Sequence, residues 1–224
     1  MVTAVGVLIT SAGDQIPLRN DSVTNGTETS LLTDSNVTTA AVAIGDYKPG
    51  AVITHGVVSA GNSMSYAYVL RQGVIVSICN VGLAGVADEL KPLSLPVTLQ
   101  PGDDLRILSL STTARNAALC VTTNAGISRI FVATPNAAGT FELLDLQTSN
   151  SIGSTLQGQS VISAYFTSVD GTKIVSGTGA WIKNPSGQVV GAFPSTSVAK
   201  NATGLTMQTV PIALNFVAEI VTNA

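Results

Sequence analysis

Short runs of alternating apolar and polar residues, rich in Val, Ile and Thr and broken by turn chemistry roughly every 8 to 12 positions, constrain this chain more than any other feature. Side chains in a strand point alternately to two faces, so each run can bury one face and expose the other. About sixteen strands are expected on this pattern, at residues 3–10, 37–44, 51–60, 64–71, 74–80, 94–99, 104–110, 116–122, 127–133, 139–147, 160–168, 172–176, 179–183, 188–193, 205–210 and 212–222. Strong helix formers cluster only around Ala87-Asp88-Glu89-Leu90, which makes residues 85–90 the one expected helical turn. Pro101-Gly102 suits the centre of a type II turn, Asp170-Gly171 a tight hairpin, and Asn184-Pro185-Ser186-Gly187 a reverse turn. The expected class is all-β, an antiparallel β-sandwich, and Rossmann, TIM-barrel and helical-bundle folds are excluded.

With 224 residues the chain has room for an ample core, and its strand count is close to twice that of one sandwich. Two stacked sandwiches are therefore expected, 1–124 and 125–224, with one elaborated sandwich as the alternative. A weak echo links the passage starting Leu99-Gln100-Pro101-Gly102 to the one starting Leu156-Gln157-Gly158-Gln159. Ser11 to Ser35 is dense in Asn, Asp, Ser, Thr and Gly, and reads as a long solvent-facing loop or an arm that orders against a neighbour. The apolar start, Met1 to Thr10, lacks a positive flank and is too short an apolar run for a signal peptide, so it reads as a strand. A mean hydropathy of +0.42 then reflects buried strands, since no run approaches the ~20 apolar residues of a membrane-spanning helix.

Ten Lys and Arg against thirteen Asp and Glu give a net charge of -3, and the basic residues are scattered from Arg19 to Lys200. That argues against a general electrostatic grip on nucleic acid. Catalytic chemistry finds no motif. His55 is the single histidine, and no Gly-x-Ser-x-Gly elbow, Walker loop, dinucleotide fingerprint or Cys-x-x-Cys pair occurs. The adjacent carboxylates Asp88-Glu89 and Asp103-Asp104 would point to opposite faces of a strand. Asp14, Asp21, Asp34 and Asp46 lack the regular spacing of a calcium loop and read as solvated acids. Cys79 and Cys120 sit in apolar runs and read as buried free thiols, an inter-strand disulfide being the alternative. Trp181, near Tyr165 and Phe166 in the chain, reads as core; were it or Tyr66 exposed, either would suit stacking on a sugar. Sequons occur at Asn20, Asn25, Asn36 and Asn201. No catalytic, cofactor-binding or metal-binding residue is assigned, and no enzyme activity is expected.

With so few charges to guard strand rims, β edges invite association, and self-assembly is the expected outcome. The passage Leu93-Ser94-Leu95-Pro96-Val97-Thr98-Leu99-Gln100-Pro101-Gly102-Asp103-Asp104-Leu105-Arg106-Ile107-Leu108 resembles the strand-Pro-Gly-Asp-strand segments of jelly-roll virion coat proteins. In pattern the whole chain resembles the double jelly-roll major capsid type of double-stranded-DNA viruses, although it is short for two such barrels. The resemblance implies a jelly-roll sandwich fold and a homotrimer with a six-fold-like outline tiling a virion shell. It also implies contacts with copies of itself and other virion proteins. Two alternatives remain: a pilus, filament or surface-layer subunit at the cell surface, and a decoration or fibre-head protein that binds host glycans. Ser11 to Ser35 and the loops around Asp88 and Asn201 are the expected contact elements.

Overall fold

The computed structural model describes residues 2–33, 40–60, 64–83, 90–110, 115–170, 173–174, 179–194 and 205–222. The chain divides into two compact units, Met1–Thr112 and Thr113–Ala224. The expected boundary at 124/125 would instead fall between two strands, Arg115–Thr123 and Ser128–Ala133, that pair along their length.

The first unit contains β1 (Val2–Thr10), β2 (Gln15–Val23), β3 (Glu28–Thr33), α1 (Ile44–Tyr47), β4 (Val52–Ala60), β5 (Met64–Arg71), β6 (Val74–Leu83), β7 (Lys91–Thr98) and β8 (Asp104–Ser109). Its strands run antiparallel in the spatial order β6-β5-β8-β3-β2-β1-β4-β7. The stretch β4-β1-β2-β3 is a Greek key. The two ends of the order meet without a regular ladder: the Ser77 hydroxyl on β6 donates to Leu95 O at 2.6 Å, and Ser94 Oγ on β7 accepts from Ile78 N at 2.8 Å. These bonds bring β7 beside β6, so that β8-β5-β6-β7 forms a second key and the sheet nearly closes on itself. Alternation sends Leu105 and Ile107 of β8 inward, where they share one core with Leu8, Ile16, Leu31, Ile53 and Val69.

The second unit contains β9 (Arg115–Thr123), β10 (Ser128–Ala133), β11 (Gly139–Glu142), β12 (Leu144–Asp145), α2 (Ile152–Leu156), β13 (Ser160–Asp170), β14 (Lys173–Ile174), β15 (Gly179–Lys183), β16 (Val189–Pro194), β17 (Leu205–Pro211) and β18 (Val217–Thr222). Two sheets, β12-β10-β9-β13-β14 with β17 also on β13, and β11-β18-β15-β16, enclose one core of Leu119, Phe131, Phe166, Ile182, Phe193 and Ile220.

The second unit repeats the first. Reading through the break at Leu143, its order is β16-β15-β18-β11/β12-β10-β9-β13-β17, the order of the first unit strand for strand. The backbone bonds recur at an offset of about 110 residues. Thr10 N donates to Asp14 O and Gly13 N to Thr10 O; Thr123 N donates to Ile127 O and Gly126 N to Thr123 O. Even the threonine hydroxyls agree, Thr10 Oγ1 accepting from Asp14 N and Thr123 Oγ1 from Ile127 N. Gly45 N donates to Asp103 O as Gly153 N does to Phe216 O, and the pair of bonds joining Leu99 to Gly50 and Ala51 reappears between Ile212 and Gly158 and Gln159. The irregularity in the β4–β7 ladder between Ile53 and His55 has its twin between Val161 and Ser163 in the β13–β17 ladder.

Several expectations need correction. Ser11 to Ser35 is not a loop: β2 and β3 occupy most of it, because its polar residues alternate with Ile16, Leu18, Val23 and Leu31, whose side chains are buried. Residues 40–44 are not strand, and α1 begins at Ile44; residues 34–39, like the helical turn expected at 85–90 up to Glu89 and Gly171 of the expected hairpin, lie outside the described residues. The run 139–147 breaks at Leu143, and 212–216 is a turn before β18. The echo joining Leu99 to Leu156 relates unlike places, since Leu99 precedes a turn and Leu156 ends α2; the counterpart of Leu99 is Ile212.

Candidate functional site

The acids singled out by the sequence lie apart. Asp14 pairs with Lys48 at 2.7 Å, Asp21 with Arg19 at 2.8 Å, and Asp46 accepts from Gly102 N. Among the described residues no group of three or more His, Cys, Asp and Glu side chains is placed to hold a metal ion. Asp34, Asp88, Glu89 and the sequons at Asn36 and Asn201 lie outside the described residues. Asp103 and Asp104 take separate partners: Asp103 is buried against Arg71, whereas Asp104 accepts from Ser30 at 2.6 Å and lies 2.7 Å from Arg106. His55 on β4 is half-buried with Nδ1 2.9 Å from the Thr54 hydroxyl. The Asn20 amide donates to Ser30 O, and Asn25 accepts from the Ser109 hydroxyl, so these two sequon side chains serve the fold.

Cys79 and Cys120 are free and buried. Burial pushes each thiol up to about 12, and a hydrogen bond with Tyr165 opposes this at Cys120. Because the thiolate is the reactive form, both are expected to resist a thiol-specific reagent at neutral pH and to react together only in denaturant. Fast labelling of either in the folded protein would contradict this placement.

The aromatic residues separate sharply. Tyr66 is 1% exposed and cannot present a face to a sugar, contrary to the reading that paired it with Trp181. Trp181 is half-buried on β15, between Ala180 and Ile182, which point into the core. Alternation therefore turns Trp181 to the other face of the sheet. There it stands in a row across three ladders: Glu142 on β11 opposite Glu219 on β18, Glu219 opposite Trp181, and Trp181 opposite Ala192 on β16. Lys183, two residues along from Trp181, donates from Nζ to Glu219 Oε2 at 2.5 Å. Glu142 is exposed, and its carboxyl is shifted up by partial burial first and by the Glu219 charge second.

The corresponding row of the first unit is Ser30, Arg106, Tyr68 and Ile78. It is satisfied internally: Ser30 and Arg106 share Asp104, and the buried Tyr68 hydroxyl donates to Glu28 at 2.8 Å. Burial, then Glu28, raises the Tyr68 hydroxyl pKa.

The rim of the second unit differs in the same way. β6 is bridged to β7 by Ser77, which is opposite Val69 in the ladder; the equivalent position on β16, opposite Ile182, is Gly191, which has no side chain to bridge with. Among the described residues β16 pairs only with β15, and its sequence Val189-Val190-Gly191-Ala192-Phe193-Pro194 carries no charge, with Val189 and Val190 exposed. An edge of this kind lacks the charged guards that ordinarily prevent pairing with another chain.

No family model, curated protein or solved structure matches the chain. No helix among the described residues is long and apolar enough to cross a membrane.

Proposed function

We propose that this chain is a self-assembling structural protein, a coat subunit of a virus shell that works as a homotrimer in contact with copies of itself and with other virion proteins. The observation that carries this reading is the internal duplication. Two copies of one eight-stranded unit let three chains arrange six similar units about a three-fold axis, the six-fold-like outline that the coat-protein resemblance implies. The finer fold belongs to the same proposal: eight antiparallel strands in two Greek keys are the strand inventory of a jelly roll, and the chain carries it twice. The net charge of -3 suits a shell that does not itself neutralise a genome.

The uncharged β16 rim supplies a place for copies to meet by strand addition. Light scattering and negative-stain microscopy of the purified chain test the reading: trimers or closed particles are the expected result. A monomer at all concentrations, or unbranched filaments of the kind a pilus subunit makes, would overturn it. If β16 carries the contact, Val190→Lys should raise the concentration needed for assembly by about tenfold, which is roughly 1.4 kcal/mol of association energy, without changing the circular dichroism of the subunit.

A further inference from the structure

We propose that the outward face of β11, β18 and β15 is a binding site for an uncharged saccharide, with Trp181 as the stacking platform, Glu142 and Glu219 as acceptors for ring hydroxyls and Lys183 as a donor. The proposal is independent of the shell reading: it requires only the second unit, whatever that unit assembles into.

The first unit shows what this row looks like when it serves the fold alone. There the central aromatic residue is buried and its hydroxyl engaged by Glu28, and the one charge in the row, Arg106, is answered by Asp104. In the second unit the aromatic position is kept and enlarged to Trp181, yet turned partly to solvent, and the next two strands on one side, β18 and β11, place glutamates directly opposite each other. Like charges opposite one another across a ladder destabilise a sheet. Lys183 answers only one of them, and among the described residues Glu142 has no ion-pair partner. The Glu142–Glu219 juxtaposition works against the sheet, and a ligand donating hydroxyls to both carboxylates would relieve it.

The chemistry of the row selects the ligand class. A pyranose ring presents one apolar face of C–H groups and a rim of hydroxyls, matching a flat indole bordered by strong acceptors and one donor. Thr140 and Val221, paired with each other next to the glutamate pair and both exposed, extend the platform with a small hydroxyl and a methyl-bearing surface. A simple cation is less well served, because Lys183, one position beyond the row on the same face, already occupies Glu219. An acidic sugar would meet two carboxylates.

Trp181 is the only tryptophan in the chain, so its fluorescence reports on this face without interference. Lactose, mannotriose and chitotriose titrated into the intact protein to about 50 mM should include at least one that shifts the emission saturably. Glu142→Gln and Glu219→Gln should each weaken that sugar by about tenfold or more, the scale of one lost hydrogen bond to a charged acceptor, with unchanged circular dichroism. Trp181→Phe, followed by calorimetry, should weaken it further. Calcium chloride and choline chloride should leave the emission unchanged. The proposal is overturned if none of the three sugars saturates, if the two glutamine variants bind as the parent does, or if calcium or choline gives the saturable response instead.

Discussion

Gly45→Ala and Gly153→Ala should each unfold the unit that carries the substitution at far lower denaturant than the parent requires, by at least about 3 kcal/mol, the upper end of overpacking costs. Both glycines sit in the first turn of a short helix pressed against the turn before the last strand of their unit. A methyl group on Gly45 would lie 2.0 Å from Gln100 O and 2.7 Å from Asp103 N; one on Gly153 would lie 2.6 Å from Phe216 N and 2.7 Å from Phe216 O. All four atoms are backbone, so no side chain can rotate away. Relief would require the helix to leave the turn, breaking the bonds from Gly45 N to Asp103 O and from Gly153 N to Phe216 O. Gly13→Ala is the control: its φ of +87° imposes backbone strain, but nothing lies within 4 Å of the added atom, so the loss should stay near 1–2 kcal/mol. Urea unfolding of the three variants decides the matter. Equal midpoints for Gly45→Ala and Gly13→Ala would mean that the close helix–turn approach is not real.

These two glycines also show why the duplication was hidden in the sequence. Ile44-Gly45 and Ile152-Gly153 share two residues, and Gly50 and Gly158 a third, but elsewhere the chain changes freely because, the Thr10 and Thr123 hydroxyls apart, backbone atoms make the shared bonds. A β chain built on alternation accepts any pair of inward apolar residues, so Leu18 in one core becomes Phe131 in the other with no trace in the motif. The Leu99–Leu156 echo arose from the same freedom, since similar turn residues recur in unrelated places. The strands themselves were legible wherever β-branched residues alternated, as in β4, β8 and β13. They are masked in β2 and β3, where the polar Asn20, Asp21, Ser22 and Thr29 outweigh four buried apolar residues. α1 and α2 are four and five residues long, too short to display a helical period. Trp181 could be noticed in the sequence as the one tryptophan, but Glu142, 39 positions away, and Glu219, 38 positions away, join it only through ladder register, which composition does not encode.

Asp103→Ala should destabilise the first unit by about 3–5 kcal/mol, the cost of leaving one half of a buried ion pair behind. The Asp103 carboxylate is fully buried and accepts from Arg71 Nε at 2.8 Å, Arg71 Nη2 at 2.7 Å and Gln100 N at 2.8 Å. Arg71 reaches on to Thr98 O, so one side chain pins the end of β5, the end of β7 and the 100–103 turn against which Gly45 rests. Removing the carboxylate strands the Arg71 charge, which is only 28% exposed, and the Gln100 amide loses its acceptor. The second unit shows that the pair is one solution among others. Its equivalent turn is held by Phe216, which packs against the core without any charge. Replacing both partners should therefore cost less than the sum of the two single losses: Arg71→Ala with Asp103→Ala is expected to recover about 0.5–3 kcal/mol of coupling in a double-mutant cycle. Asp103→Asn should fall between the parent and the alanine variant, since its amide keeps one acceptor but turns two donors towards the guanidinium. The unfolding signal of Trp181, which belongs to the second unit, should move little in all of these variants while the first unit melts early. Additive single and double losses would show that Arg71 and Asp103 stabilise the unit separately, and the pin joining β5, β7 and the turn would have to be abandoned.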